Sequence, residues 1–512
     1  MKLNVFHFTV AAALCLGLAS CSKSGSSPTP TPTKVTITGF TPSHGAPGDT
    51  ITIAGTGFAT GDSVYFGGIA AKTVIIVTTS QIKAIVPTGA ASGSIQVKGA
   101  GSTATTSSST NFTADATEAI TGFSPTHGFT GDTVTITGKG FTIGDSIYFN
   151  GTVVTKIISL TATELKVVIP DTAAAGTGNI QVKLDGSTVS SASAFTIDPS
   201  VYVCGYEKSG AANSVAMYWK NGVAVSLTDG SHNAQASSIY VSGSDIYIAG
   251  YENNGTRNVA KYWKNGVAVI LTDGSSDAST GNIVVSGNDV YVAGTIGSEL
   301  TYWKNGTAMF TTNGFTYVPS VYVSGSDVYM SGMPTIAGYN NTAAYWKNGG
   351  TAVPLTNGIY MAEVNSIVVS GNNVYVGGAE YNGGNVVANG SDSVGNGVAK
   401  YWKNGVGVPI SDGTGYADII SMYVSGNDVY AAGYDMPLTA TSPNAVYWKN
   451  GTEVKLTDVG YGWGIYVFGS DVYVSGQSNI NEDGISVVAA YWKNGTTVPL
   501  SGAGLATGIF VR

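Results

Sequence analysis

The chain has 512 residues, 43% hydrophobic and 11% charged, with 70 glycines, 29 tyrosines, 8 tryptophans and a formal charge of −8. That length holds about three to four domains, and the low charge with abundant Gly, Thr, Val and Tyr excludes long charged helices in favour of strands and turns. The 23 Lys+Arg show no clustered basic face, which excludes a nucleic-acid binder, and the aromatic content excludes disorder over most of the length.

Residues 1–20 read as an export signal: Lys2 supplies the positive start and Val10–Leu18 is an apolar run too short for an ordinary membrane span. The signal ends Leu18-Ala19-Ser20-Cys21. Small residues before a Cys, directly after the apolar run, resemble the lipobox of bacterial lipoproteins, and the resemblance implies that Cys21 is lipidated. Residues 21–34 then form a Ser-, Pro- and Thr-rich tether, extended at about 3.1 Å per residue where proline-rich. Cys15 leaves with the signal and Cys21 is acylated, so Cys204 stands alone and the mature chain has no internal disulfide. Related segments carry Ala, Ser or Gly at its position, which reads as a small buried side chain.

Residues 35–114 and 119–198 repeat each other. Gly39-Phe40-Thr41-Pro42-Ser43-His44-Gly45 matches Gly122-Phe123-Ser124-Pro125-Thr126-His127-Gly128, and Gly48-Asp49-Thr50-Ile51-Thr52-Ile53 matches Gly131-Asp132-Thr133-Val134-Thr135-Ile136. Gly55-Thr56-Gly57-Phe58 matches Gly138-Lys139-Gly140-Phe141. Alternating apolar residues between Gly and Pro punctuation predict two antiparallel β-sandwiches. The early Pro-x-x-Gly, the Gly-Asp-Thr before a Thr-Ile strand and the Gly-x-Gly-Phe turn resemble the IPT/TIG family of immunoglobulin-like domains. That resemblance implies cell-surface spacers or glycan-associated modules. His44 and His127 sit in equivalent turns without an evident second ligand and read as solvent-facing or capping residues.

A second repeat occupies residues 199–512. Tyr-Trp-Lys-Asn-Gly occurs seven times, with tryptophans at 219, 263, 303, 346, 402, 448 and 492, spaced by 44, 40, 43, 56, 46 and 44 residues. Four strand-like runs per repeat predict a seven-bladed β-propeller. Gly-Ser and Gly-Asn suit type II′ hairpins between the first and second strands, and Asn-Gly suits type I′ hairpins between the third and fourth. The first repeat lacks its innermost strand, and the chain ends Gly508-Ile509-Phe510-Val511-Arg512, matching Ser238-Ile239-Tyr240-Val241-Ser242. The C-terminal strand is therefore expected to complete the first blade and remove the open edge. The fold class is all-β: two immunoglobulin-like sandwiches followed by a closed seven-bladed propeller. The repeated tryptophans read as blade-to-blade packing, Lys264 and its six equivalents as solvated, and Asp245, Asp289, Asp327, Asp428 and Asp471 as turn residues.

The hairpins share one face of the disc, and the unequal connections share the other. From the Gly closing the second strand to the Tyr of Tyr-Trp, the steps are 13, 12, 8, 13, 23, 14 and 15 residues. Variable loops on a rigid scaffold are where binding is expected. The longest, Ala379–Lys400, offers Glu380, Tyr381, Asn382 and Asp392. Trp463, outside the repeat, lies with Tyr461 in an inter-blade connection, and Tyr416, Tyr360 and Tyr317 are placed in others. Exposed aromatics there suit stacking on sugar rings or anchoring a protein. Asn479-x-Asn481-x-Asp483-Gly484 is similar to the start of a calcium loop, but position twelve is Ala490, so it reads as a polar loop. His232 has no acid–base partner in sequence, and the carboxylates Glu207, Glu252, Glu380 and Asp435 follow the second strand in equivalent places, which favours a structural or solubilising role. No catalytic residue, metal or cofactor is implied.

The sequence thus reads as a non-catalytic cell-envelope lipoprotein, held by its lipid anchor at the outer membrane or surface of a Gram-negative bacterium. Its propeller takes a glycan or surface protein on the long-loop face, with the sandwiches as spacers. The alternatives are a propeller-type polysaccharide hydrolase or lyase, marked by carboxylates converging in a deep pocket, and a structural envelope-assembly protein.

Overall fold

The computed structural model describes residues 34–115, 119–184, 187–208, 213–334, 342–382, 396–479 and 487–512. The signal segment, Cys21, most of the tether, Asp392 and the centre of the calcium-like loop lie outside the described residues. The described residues form strands and turns without a helix, and the chain divides into two compact units, Met1–Ala119 with Lys183–Ser187 and Ile120–Val182 with Thr188–Arg512.

In the first sandwich Thr36–Thr41, Thr50–Thr56, Gln81–Ile85 and Val74–Thr78 pair in that order, opposite a five-stranded sheet. Alternation decides which side chains face inward: Ile51 and Ile53 are buried from one strand, Val64 and Phe66 from another, and Phe112 packs edge-on against Phe66 at 5.0 Å. The second sandwich repeats the four-stranded sheet with Ala119–Ser124, Thr133–Lys139, Glu164–Val168 and Ile157–Leu160, and repeats the aromatic pair as Phe149–Phe195 at 5.2 Å. The Gly-Asp-Thr motif is a turn device. Asp49 accepts the Ala46 N–H at 2.7 Å and Asp132 that of Phe129 at 2.8 Å. The two turn histidines are more than solvent-facing groups. His44 Nδ1 lies 2.8 Å from Asp115 and His127 Nδ1 2.7 Å from Asp198, tying each turn to the last strand of its sandwich. The Asp115 carboxylate beside His44 raises its pKa.

The propeller has seven four-stranded blades. Blade two shows the plan: Ala234–Ser242 is innermost, followed outward by Asp245–Asn253, Asn258–Lys264 and Val267–Ile270, all antiparallel. Closure is made by one long strand, Thr496–Val511. Its first part is the outermost strand of the seventh blade, pairing Lys493 with Thr496 and Trp492 with Thr497. Its last part is the innermost strand of the first, pairing Val201 with Val511 and Val203 with Ile509. Ser200 N–H donates to Arg512 C=O at 2.8 Å and Arg512 N–H donates back at 3.1 Å, so this backbone pair stands where the other blades have a hairpin.

The repeated tryptophans wedge between blades. Trp263 packs with Tyr202, Cys204 and Ala216 of the preceding blade, and Trp219 with Tyr473 and Leu500 of the seventh. Cys204 is fully buried beside Thr507, and burial pushes its thiol up to about 12, which keeps it protonated and inert.

The lysines of the hairpin face are solvated, as expected, and most are also ion-paired. In each Asn-Gly turn the Asn adopts φ near +50° (Asn265 φ 50, Asn450 φ 51) and the Gly also has positive φ (Gly266 φ 81, Gly451 φ 82), as a type I′ turn requires. Asn265 Oδ1 accepts the Ile246 N–H at 2.8 Å while its Nδ2 donates to Asp245 at 2.8 Å. Lys264 pairs with Asp245 at 2.8 Å and lies over the Tyr247 ring at 5.2 Å. Blades three, four, six and seven repeat this cluster through Asp289, Asp327, Asp428 and Asp471. Blade five carries Asn373 instead, bonded to Asn404 at 2.8 Å.

Candidate binding site in the propeller channel

A cavity of about 290 Å³ runs along the axis, lined by the innermost strands. Each of these strands runs from the variable face to the hairpin face, so the cavity reads in tiers from the variable face inward.

The tier nearest the hairpins is apolar and repeats. The middle residue of the Ile-Tyr-Val run contributes Tyr240, Tyr322, Tyr423, Tyr466 and Phe510, with Val284 and Val368 in blades three and five. Tyr240 meets Phe510 at 5.1 Å, Phe510 meets Tyr466 at 4.8 Å and Tyr466 meets Tyr423 at 5.0 Å, so four rings touch in succession and narrow this end. Burial raises the pKa of Tyr240, Tyr322, Tyr423 and Tyr466, so the phenols stay protonated and can donate.

The middle tier is made by a register shift in each innermost strand. Ser237, Asn365, Ile420, Trp463 and Thr507 are the extra residues in five of the blades, each skipped by the ladder. A bulge re-aims a side chain without ending the strand. Next to it, Ser238, Asn282, Ser320 and Ser366 accept the backbone N–H of Ile283, Val321, Ile367 and Met422 in the following blade, at 3.3, 2.6, 3.2 and 3.1 Å. This belt ends in glycine at Gly464 and Gly508, where a Cβ would meet Ser475 Oγ at 2.7 Å and Cys204 Sγ at 3.0 Å. Trp463 stands in this tier between Gly462 and Gly464. The structure therefore corrects its placement: it belongs to the innermost strand Gly462–Phe468 and lines the channel, half-buried, with no partner for its indole N–H among the described residues. Tyr461 does lie in the connection just before it. It packs edge-on against Tyr434 at 5.2 Å and against Trp463 at 5.8 Å.

The other sequence-selected residues are scattered. Tyr416 and Tyr317 fall within the strands Gly415–Ser425 and Thr307–Ser324 and not in connections; the side chain of Tyr317 lies outside the description. Tyr360 is 44% exposed in the connection before blade five and does not line the channel. Glu380 forms an ion pair with Lys400 on the neighbouring strand, as Glu252 does with Lys261 at 2.6 Å, which makes both carboxylates structural. The long loop is shorter than the sequence implied, because its strands pair as far as Asn382 with Asn396; the Asn382 side chain lies outside the description. Tyr381 turns inward, where its hydroxyl hydrogen-bonds Glu363 and burial raises its pKa.

Sequence reasoning missed the outermost tier. Two residues before the bulge, blades five and six carry Glu363 and Asp418, 7% and 5% exposed. Burial raises Glu363 to about 7, and burial together with the Glu363 charge raises Asp418 well above its ordinary value. The signal was available: aligned on the bulge, the same position holds Leu505, Gln235, Ser279 and Tyr461 in other blades.

The IPT/TIG domain matches residues 35–114 and 119–197. Those two matches cover the sandwiches and leave the propeller unassigned. A search of curated proteins found no match. Among solved structures, the chain is similar to a protein of unknown function from Bacteroides thetaiotaomicron (11% identity, TM-score 0.38, covering 70% of this chain and 94% of that one). It is also similar to the β-propeller domain of the Trilobed protease from Pyrococcus furiosus (10% identity, TM-score 0.34, covering 64% of this chain and 96% of that one). A third similarity is to a surface glycan-binding protein from Prevotella bryantii (18% identity, TM-score 0.17, covering 42% of this chain and 49% of that one). Likeness at this level leaves function to the site itself.

Proposed function

We propose that this is a non-catalytic cell-envelope protein, lipid-anchored at Cys21, in which two sandwich spacers carry a propeller that binds a glycan at the variable-loop mouth of its channel. The carrying observation is Trp463. It is the one tryptophan outside the repeat, presented between two glycines at a bulge, half-buried against the channel with Tyr461 beside it. Flat aromatic rings beside hydroxyl and amide groups suit the apolar faces and hydroxyl rims of sugars, and the cavity has the volume of a small ring system. The loop carboxylates Glu252 and Glu380 are neutralised by lysines, so they offer no free acid–base pair.

The test is a glycan-array screen of the chain lacking residues 1–21, followed by titration of Trp463→Ala against the best ligand. Affinity should fall at least tenfold with a nearly unchanged melting temperature. A propeller that retains no glycan at any concentration, or a Trp463→Ala variant that binds normally, refutes the reading. For the anchor, Cys21→Ala should release the protein from the membrane fraction or block its processing.

A further inference from the structure

Glu363 and Asp418 occupy one repeat position in adjacent blades, and both are buried. No ion pair among the described residues involves either; Lys400 in blade five and Lys455 in blade six are held by Glu380 and Asp458. Asn365, 3% exposed, completes the group. Its Nδ2 donates to Asp418 Oδ2 at 2.9 Å and to the Ile419 carbonyl at 3.0 Å. Those two acceptors fix the amide orientation, because the flipped amide would set oxygen against oxygen. Asn365 Oδ1 is therefore held free: among the described residues neither it nor Asp418 Oδ1 has a hydrogen-bond partner, although both atoms are buried, and the Ile419 backbone N–H is the other donor to the Asp418 carboxyl. The one donor on Glu363 that the structure shows is the Tyr381 hydroxyl. The cluster has more oxygen acceptors than donors facing them, and its Asn365 side is on the channel wall, which provides an entry path.

We propose that Asp418, Asn365 and Glu363 form a binding site for a hard divalent cation, Ca²⁺ in preference to Mg²⁺. The donors are two carboxylates and an amide carbonyl, all oxygen, which excludes the softer metals that favour imidazole or thiolate. They come from two strands with unequal reach, and the remaining positions fall to water. Ca²⁺ accepts such irregular shells of six to eight oxygens, whereas Mg²⁺ demands a near-ideal octahedron. A bound cation would satisfy both orphaned oxygens, ionise the carboxyl pair and clamp blade five to blade six beside Trp463. The site stands independently of what the mouth binds.

The experiment is Tb³⁺ luminescence on the full-length protein, sensitised through Tyr381, Tyr434 and Trp463, paired with thermal melts in Ca²⁺, Mg²⁺ and chelator. Saturable emission is expected, displaced by Ca²⁺ at concentrations at which Mg²⁺ leaves it intact. Asp418→Asn and Asn365→Ala should each weaken Tb³⁺ binding at least tenfold, and Asp245→Asn on the hairpin face should not change it. Ca²⁺ should raise the wild-type melting temperature and not that of Asn365→Ala, which retains both carboxylates and serves if Asp418→Asn does not fold. Absence of saturable emission, or emission preserved in Asn365→Ala, overturns the site. So does a melting temperature that depends on pH alone, identically in Ca²⁺ and chelator, since the proton is then the partner.

Discussion

The two ends of the propeller channel are built by opposite rules. At the hairpin end the same Lys, Asp, Asn and Tyr recur around the ring, joined by the same ion pair, turn and ring contact. At the mouth the equivalent positions hold Leu505, Gln235, Ser279, Glu363, Asp418 and Tyr461, six different residue types. Repetition marks the groups that every blade needs in order to stand beside the next. Departure from it marks groups that serve the molecule once, which is where recognition is expected on a rigid scaffold.

The sharpest way to break this contrast is to open the ring. Deleting residues 506–512 removes the ladder from Val201 to Gly205 and leaves two edges, and the propeller should lose several kcal/mol. Melting curves of the truncated and intact chains check this, and the sandwiches, with their own cores, should melt as before.

Next in size is the comparison of two tryptophans. Trp303 is buried among Ala249, Ala260 and Ile283, so Trp303→Ala should cost about 3–5 kcal/mol in denaturant unfolding. Trp463→Ala should leave the unfolding midpoint nearly unchanged, because the side chain lies outside the interblade packing.

The carboxyl pair makes the mouth pH-sensitive in a direction opposite to ordinary acid denaturation. Folded Glu363 holds its proton up to about pH 7, whereas the unfolded chain releases it near the ordinary value of 4.5. Between those values the folded state binds more protons, so this group's contribution to stability falls as pH rises and levels off above about 7. In chelated buffer, Glu363→Gln should therefore match wild type at pH 4.5 and exceed it at pH 7.5 by up to about 3 kcal/mol. Equal urea midpoints at both pH values would show that the group is not desolvated. The smallest effect belongs to one copy of the hairpin cluster. Asn265→Ala loses two side-chain hydrogen bonds and the preference for positive φ, and should cost about 1–2 kcal/mol without altering ligand affinity.

Much of the scaffold was legible in the sequence because each blade states its rule again. The Tyr-Trp-Lys-Asn-Gly runs located the third strands and type I′ turns, and Gly508–Arg512 located the closing strand. The site was legible only in part. Trp463 stood out as the tryptophan outside the repeat, yet its place in a strand was hidden, because a bulge adds one residue and breaks the alternation that marks strands. The lysine clusters were missed because Lys264 and Asp245 are separated by a whole hairpin, and only pairing brings them together. Glu363 and Asp418 escaped because each is a single charge in an otherwise uncharged strand, and burial is a property of the neighbouring blade.

The central claim, that ligand enters by the variable mouth, is tested most directly by hydrogen exchange with and without the array-selected glycan. Protection should concentrate in 460–464 and 415–421, with the Asn-Gly hairpins such as 265–266 and 450–451 unchanged. Protection confined to the hairpins, with the mouth exchanging as in the free protein, would contradict the account.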